Sequence, residues 1–327
     1  MFHVYRLFGE ALFRYIDVLG RKGCSRTALE YCKLTLSLWP EEDPYGILLV
    51  IDYYTLRARE YQYFLDFVGG WFIEEFHKKK HPEPGAKPNT LLLLPNLLYS
   101  CAICKKMLNL TEIPKEAQLT EDFAKVISLK DINDMVKLSE NALLIMALVM
   151  YPGLLKRIVN KIKSPSSSAW DPVLKCLKVA TKGTSKYYKD YEWLCKDKNA
   201  TCAKSTLKKI YSIYEEKAAS CFSPENVQSW IKTVVNFLYT SFQQGDLNPE
   251  VIRESIRGMG VSPFYLDRYS HLNVLNFKDD LTTIPQEQLN PMIENTLFAQ
   301  QQAAPQAPPA PGEAPNPLAL FFRTLFQ

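Results

Sequence analysis

Residues 23–44 read GCSRTALEYCKLTLSLWPEEDP, which is the pattern of a helix with its own start and stop signals. The hydroxyl of Ser25 can accept a hydrogen bond from a first-turn amide, so we expect Ser25 to cap this helix. Pro40 limits the helix, because proline lacks the amide hydrogen that a helical hydrogen bond needs. Asp43 followed by Pro44 is typical of a second helix start. The stretch therefore predicts a helical hairpin that continues into another helix.

Apolar residues fall on nearly every side of the helix expected over residues 27–39, which requires neighbours on more than one face. The apolar set is Ala28, Leu29, Tyr31, Cys32, Leu34, Leu36 and Leu38. We expect Leu34 to be part of this core. A Leu34→Asp substitution should then unfold the first hairpin, because a buried unpaired carboxylate is strongly destabilising.

Neighbouring segments extend the same organisation. We expect helices over residues 1–19, 45–57 and 61–76, which together with the quoted stretch make two stacked hairpins. Their spacing is close to the tetratricopeptide period of about 34 residues. The sequence therefore predicts an all-α fold, an α-solenoid of tetratricopeptide-like helical hairpins.

The ending of the quoted helix occurs a second time. Residues 139–155 read SENALLIMALVMYPGLL, in which Tyr151 and Pro152 correspond to Trp39 and Pro40. The two prolines are 112 residues apart (152 − 40), which is not a multiple of the repeat length, so we expect an irregular insertion between them. Further helices are expected over residues 90–107 with a kink at Pro95, and over residues 142–155, 173–186, 204–219, 226–242 and 249–257.

The C-terminal part changes composition twice. We expect a helical-repeat domain over residues 1–297, irregular at its end, and a Pro/Gln/Ala linker over residues 298–316. Residues 317–327 then form a short apolar anchor, PLALFFRTLFQ. The anchor must either dock on the solenoid or bind a partner, because a bare apolar cluster is an aggregation hazard.

The spacing of the apolar residues in this anchor is that of one face of a short helix, with the arginine at the solvent edge. We therefore assign partner binding to Leu318, Phe321, Phe322, Arg323 and Leu325.

The charge balance argues against a dedicated nucleic-acid binder. Lys and Arg number 39 against 35 Asp and Glu, a formal net charge of only +4. Basic residues are densest in the loop at residues 77–89, HKKKHPEPGAKPN, where Lys78, Lys79 and Lys80 either contact phosphate or are solvated. Lysine contacts to phosphate read no base sequence, so we expect no sequence-specific DNA binding.

Metal and catalytic signatures are weak in this sequence. Cys101 and Cys104 form a CxxC pattern within an apolar helical segment, where thiols act as small hydrophobes, and no second ligand pair accompanies them. His77 and His81 are four residues apart, but Pro82 follows and argues against a helix there. Phosphate-binding loops and nucleophile elbows are also missing. We expect no enzyme activity, no metal site and no cofactor.

Signals for secretion or membrane insertion are not found either. The N-terminal helix is amphipathic, with Arg6 and Arg14 beside its apolar residues, and so does not have the pattern of a signal peptide. The longest apolar stretch, residues 91–103, is interrupted by Pro95 and is shorter than the roughly 20 residues that span a bilayer. Eight cysteines without a secretory signal fit a reducing compartment. We expect no transmembrane segment and no membrane partner.

One long run carries a resemblance to a known family. Residues 21–60, RKGCSRTALEYCKLTLSLWPEEDPYGILLVIDYYTLRARE, resemble the best-preserved segment of the family of transcription factor 25 and ribosome quality control complex subunit 1. A second string, NPLALFFRTL at residues 316–325, is similar to the closing feature of the same family. Residues 179–248 depart from the family pattern, and the long charged N-terminal region of larger members has no counterpart here.

The resemblance implies a non-enzymatic scaffold that assists the listerin ubiquitin ligase in ubiquitinating nascent chains on stalled large ribosomal subunits. Its partners would be a listerin-type ubiquitin ligase, ubiquitin and the large ribosomal subunit. Its location would be the cytoplasm, on ribosomes, with the nucleus as a further possibility. The family's older name implies an alternative, a nuclear transcriptional regulator or repressor that acts through protein-protein contacts. An enzyme with an unrecognised site is a third alternative.

Overall fold

Helices form every regular element among the residues that the structure describes. This computed structural model describes residues 2–40, 43–71, 94–109, 112–130, 132–162, 170, 200–259 and 269–278. The α-helices are α1 (Phe2–Arg21), α2 (Ser25–Leu38), α3 (Ile51–Ala58), α4 (Tyr61–Asp66), α5 (Pro95–Asn109), α6 (Glu116–Ile127), α7 (Glu140–Met150), α8 (Pro152–Ile162), α9 (Ala200–Ala218), α10 (Glu225–Gln244) and α11 (Pro249–Gly258). Shorter turns are the 3-10 helices Ile47–Leu49, Ile132–Lys137, Ala219–Phe222 and Val274–Phe277, and the π-helix Phe67–Trp71. The all-α fold class is confirmed, whereas the tetratricopeptide-like solenoid stays a prediction.

A tight turn joins α1 to α2 and sets where α2 begins. Gly23 adopts a left-handed conformation (φ 79°), and the amide of Cys24 donates to the carbonyl of Leu19 at 2.9 Å. Cys24 is the N-cap residue of α2, and no side chain caps this helix end. The expected capping by Ser25 is therefore wrong, because the turn places Ser25 inside the first helical turn.

Helix α2 buries one face and exposes another. Its buried residues are Ala28, Leu29, Cys32, Thr35 and Leu36. Leu34 and Leu38, one turn apart on a different face, are each 44% exposed. The expectation that Leu34 belongs to the core is therefore wrong, because α1 and α3 pack on the other side of the helix.

Asp43 caps a helical turn, but not at the position expected. Its backbone has φ 37°, and its buried carboxylate accepts hydrogen bonds from the amides of Ile47 (2.7 Å) and Leu48 (3.0 Å). These amides begin the 3-10 helix Ile47–Leu49, so Pro44 lies in a turn and α3 begins only at Ile51. The predicted helix start at Asp43 and Pro44 is displaced, since the carboxylate reaches four residues ahead.

Two further helix starts differ from the expected ones. Pro95 is the first residue of α5, where a missing amide hydrogen has no cost, and so does not kink the helix. The helix expected over residues 142–155 is divided into α7 and α8, which meet at a bend of 100° at Tyr151. Ser139 caps α7, since its Oγ accepts from the amide of Ala142 at 3.1 Å.

The two similar helix endings have nearly the same backbone conformation. Trp39 ends α2 with φ −135° and ψ 64°, and Tyr151 ends α7 with φ −134° and ψ 55°. Each donates its amide to the carbonyl four residues earlier, that of Thr35 and Ala147 respectively. The correspondence read from the sequence is thus a shared C-terminal turn, although only α7 is followed directly by a second helix.

Helix α7 lies at the centre of the interior. Each of its residues is buried, and it contacts α5, α6, α8, α10 and α11. These helices belong to one compact unit, Met1–Asp280. Among the described helices, none alone has the length and apolarity of a membrane span, and α7 with α8 reaches that threshold only as a bent pair.

The later helices agree with their predicted positions. Helices α9, α10 and α11 cover the segments expected at residues 204–219, 226–242 and 249–257. The helix expected at residues 173–186 lies outside the described residues. Residues 269–278 return to the start of the chain, where the rings of Phe277 and Phe13 lie 5.3 Å apart.

Candidate functional site

A buried polar cluster joins α3, α5 and α9. The carboxylate of Asp52 in α3 accepts hydrogen bonds at Oδ2 from Ser100 Oγ (2.8 Å) and Asn96 Nδ2 (3.3 Å) of α5. The Ser100 hydroxyl also lies 2.9 Å from the Tyr214 hydroxyl of α9. Burial raises the pKa of Asp52 to about 7, and the hydrogen bonds offset only part of this effect. A chain of hydrogen bonds that includes one buried carboxyl group therefore links three helices far apart in sequence.

Other buried polar contacts also join positions that are far apart in sequence. Lys217 Nζ lies 2.8 Å from Asp17 Oδ1, and the Tyr269 hydroxyl donates to Asp43 Oδ2 at 3.0 Å. Trp230 Nε1 donates to Asn141 Oδ1 at 2.8 Å. No pattern in the sequence predicts these pairs, because their separations of 89 to 226 residues exceed any local periodicity. The contacts of Asp17 and Asp43 give the segments on either side of α2 a defined position, so that they present an ordered surface.

That surface contains a groove between α2 and α4, with a volume of about 510 Å³. Its lining residues are Glu30, Lys33, Leu34, Leu36, Ser37, Tyr63, Asp66 and Phe67. Leu36 and Phe67 are buried and form the floor, whereas Leu34 stands exposed at the wall. The rings of Tyr63 and Phe67 stack at 5.9 Å on the α4 side. The groove is thus mainly apolar and open to solvent.

Charged groups lie along the rim of this groove. Lys33 Nζ forms an ion pair with Glu30 (2.7 Å) and lies 3.9 Å from the centroid of the Tyr63 ring. Burial, followed by the nearby Glu30 charge, raises the pKa of Tyr63, which therefore stays neutral. Asp66 accepts a hydrogen bond from Gln62 Nε2 at 2.8 Å, and among the described residues it forms no ion pair. The groove can bind apolar side chains and offers an unneutralised carboxylate beside them.

The described part of the chain also bears on metal binding and on thiol chemistry. No group of three or more His, Cys, Asp or Glu side chains that could hold a metal ion occurs there. Cys101 and Cys104 are buried in α5, and burial raises the pKa of both thiols. Such thiols are poor nucleophiles, because the thiolate is the reactive form.

The residues that the sequence assigned to partner binding lie outside the described residues. They are Lys78, Lys79, Lys80, Leu318, Phe321, Phe322, Arg323 and Leu325. The two candidate histidine ligands, His77 and His81, lie outside them as well. Their roles stay predictions. The groove was not predicted from the sequence, although Leu34 and Leu38 lie roughly opposite the buried residues of α2 at 100° per residue, so helical spacing could have separated them from the core.

The groove belongs to the part of the chain that carried the family resemblance. Residues 21–60 include the α2 wall of the groove, and Arg26 near the start of this run forms an ion pair with Glu60 at its end (3.3 Å). This exposed ion pair connects the two ends of the run, which contains α2, the 3-10 helix Ile47–Leu49 and α3.

Comparison with known proteins gives several curated relatives, most of them named as subunits of the ribosome quality control complex. A protein named ribosome quality control complex subunit TCF25 from Dictyostelium discoideum is 27% identical over 225 residues, which are 69% of this chain and 26% of the relative. The protein of the same name from Homo sapiens is 34% identical over 151 residues, 46% of this chain and 18% of the relative. Ribosome quality control complex subunit 1 from Schizosaccharomyces pombe is 35% identical over 92 residues, 28% of this chain and 12% of the relative.

The chain thus covers about a quarter or less of the length of these relatives. No solved structure matches it. The family model described as transcriptional repressor TCF25 matches residues 5–298. Since this match extends over most of the 327 residues, and the resemblance seen in residues 21–60 points the same way, the chain belongs to the TCF25 family.

Proposed function

We propose that this chain is a non-enzymatic scaffold of ribosome-associated quality control. The observation that carries the proposal is membership of the TCF25 family, whose matched relatives are named as subunits of the ribosome quality control complex. The activity of those longer relatives is transferred here only as part of the proposal, because this chain covers a small share of them.

The structure supports a scaffold in physical terms. The buried contacts of Asp52 with Ser100, of Asp17 with Lys217 and of Asp43 with Tyr269 hold the helices in one arrangement. A helical framework of this kind presents a surface at a reduced entropic cost on binding, because its backbone is already ordered. The shared ending of α2 and α7 favours helical-hairpin repeats, and we propose that residues 1–297 form such a repeat domain.

The proposed partners are a listerin-type ubiquitin ligase, ubiquitin and the large ribosomal subunit. The chain would assist the ligase in ubiquitinating nascent chains that are trapped on stalled large subunits. Residues 298–316 would serve as a linker, and residues 317–327 as an apolar anchor that docks or binds a partner. The lysines at residues 78–80 would add affinity for ribosomal phosphate without sequence readout. The proposed location is on ribosomes in the cytoplasm.

Co-sedimentation with stalled ribosomes tests this function. Full-length chain should sediment with large ribosomal subunits when the ligase is present, and ubiquitin chains on the trapped polypeptide should decrease when the chain is left out. The double variant with Phe321 and Leu325 changed to Ser should lose this association if the anchor contacts a partner. An identical sedimentation profile with and without ligase, and unchanged ubiquitination, would refute the proposal.

A nuclear transcriptional regulator is the second candidate, favoured by the description of the family as a transcriptional repressor. It would act through protein-protein contacts, since the formal net charge of +4 is small for a dedicated DNA binder. Sequence-specific binding to duplex DNA at nanomolar strength and physiological salt would reverse the order of the two candidates.

A further inference from the structure

We propose that the groove between α2 and α4 binds an amphipathic helix of a partner protein, one with a leucine-rich or phenylalanine-rich stripe flanked by Lys or Arg. This inference rests on the proposed scaffold function, and it specifies the chemistry of the partner at one surface. Three features of the groove support it: the apolar wall, the length and the charges on the rim.

Helix α2 exposes two neighbouring leucines beside the groove. Leu34 and Leu38 are each 44% exposed and lie one turn apart on the same side of α2. Scattered apolar residues are ordinary on protein surfaces, but here the first of two neighbouring leucines lines a cavity of about 510 Å³. The stacked rings of Tyr63 in α4 and Phe67 in the following π-helix line its other side. Apolar anchors that enter the groove would be covered by these side chains.

The length and walls of the groove fit a helix. From Glu30 to Ser37 the α2 lining covers seven helical steps of about 1.5 Å, roughly 10.5 Å, which equals the span from i to i+7 in a bound helix. Both walls are helices whose backbone groups are bonded internally, so they offer no edge to which a strand could add. A helix brings its own backbone hydrogen bonds and needs only side-chain contacts.

The charges on the rim determine which charge the partner helix should carry beside its apolar stripe. The lining contains two carboxylates, Glu30 and Asp66, and one ammonium group, Lys33. Lys33 is neutralised by Glu30 at 2.7 Å, which leaves the Asp66 carboxylate with the neutral amide of Gln62 among the described residues. A Lys or Arg beside the apolar stripe of the partner would therefore be attracted, and a Glu repelled.

Fluorescence anisotropy with designed peptides tests the proposal on the full chain. The probe is a labelled Leu/Lys amphipathic helix of about four turns, with leucines at i, i+3, i+4 and i+7. Its counterpart has the same leucines with Glu in place of Lys. We expect the Leu/Lys peptide to bind and the Leu/Glu peptide to bind at least about tenfold more weakly.

Matched variants locate the binding. Leu34→Gln should weaken binding of the Leu/Lys peptide at least about tenfold, whereas Leu108→Gln, which changes a leucine of similar exposure (41%) in α5, should not. Asp66→Lys should reverse the preference toward the Leu/Glu peptide. Asp134→Lys, at an exposed carboxylate outside the groove, should leave it unchanged.

Several results would overturn the proposal. These are absence of Leu/Lys binding, equal binding of both peptides, or equal effects of Leu34→Gln and Leu108→Gln. A lower melting temperature for Leu34→Gln alone would mean that the chain itself fills the groove, and would also overturn it. Peptide binding without ribosomal co-sedimentation would refute the proposed scaffold function and leave the helix-binding proposal intact. Ribosomal co-sedimentation without peptide binding would refute the helix-binding proposal alone.

Discussion

Neutralising the buried carboxylate of Asp52 should stabilise this protein at alkaline pH. The side chain is fully buried, and its Oδ1 has no hydrogen-bond partner among the described residues. No cation forms an ion pair with it in that part of the chain, and the neighbouring Cys101, Cys104 and Tyr214 have pKa values raised by burial, so they stay neutral. Ionisation of Asp52 therefore places an uncompensated charge in the interior.

The pKa determines the size and sign of this effect. The ordinary pKa of the carboxyl is 3.8, and burial raises it to about 7 in the folded protein. Since the folded pKa is the higher one, its stabilising contribution is complete below pH 3.8 and is lost as the pH rises through about 7. Each tenfold change in proton affinity is worth about 1.4 kcal/mol, so the total loss is about 4 kcal/mol, of which roughly 3 kcal/mol falls between pH 5 and 9.

Asp52→Asn isolates this contribution, because the amide keeps an acceptor for Ser100 and cannot ionise. It also supplies a donor near Asn96, whose Oδ1 has no hydrogen-bond partner among the described residues. Urea unfolding followed by circular dichroism at pH 5, 7 and 9 should show the advantage of the variant growing by about 3 kcal/mol over this range.

Asp134→Asn, at an exposed carboxylate paired with Lys137, is the control and should change little at any pH. Parallel losses of stability by Asp52→Asn and the wild-type protein between pH 5 and 9 would contradict the raised pKa of Asp52.

Two further predictions use matched pairs of positions. Leu36→Asp should unfold the first hairpin, because Leu36 is 1% exposed. Leu34→Asp should melt close to wild type, because that side chain is 44% exposed. Thermal circular dichroism that ranks the two variants in the other order would contradict the assignment of buried and exposed faces. Ser139→Ala should lower the free energy of unfolding by about 1 kcal/mol through loss of the α7 cap. Ser25→Ala should lower it by much less, because Ser25 does not cap α2. Equal losses in urea titrations would mean that Ser25 also has a capping role.

Much of the local structure could be predicted from the sequence. The positions of α1, α2, α9, α10 and α11 agree with their expected ranges to within a few residues. The similar dipeptides at Trp39 and Tyr151 also end their helices with the same turn. Where prediction failed locally, as at Ser25 and Pro44, the reason was a neighbouring turn that shifted the helix start. The residues assigned to partner binding lie outside the described residues, so those assignments stay predictions.

The candidate groove could not be predicted in the same way. Its α2 wall was read as core, because the leucines at positions 34, 36 and 38 look alike when only composition is considered. The structure buries Leu36 and exposes Leu34. Which face of an apolar helix is covered depends on the placement of α1, α3 and α4, and this placement is a property of the packed unit.

The sequence by itself determined the helical class, the boundaries of five of the eleven described α-helices and the family, because these depend on interactions between residues up to four positions apart and on a contiguous run of residues. Only the tertiary structure decided which carboxylates are buried and what they contact. Asp43 meets Tyr269 and Asp17 meets Lys217 across about two hundred residues or more of chain. Such contacts form when remote helices pack together, since burial leaves each polar group in need of a partner that local sequence does not supply.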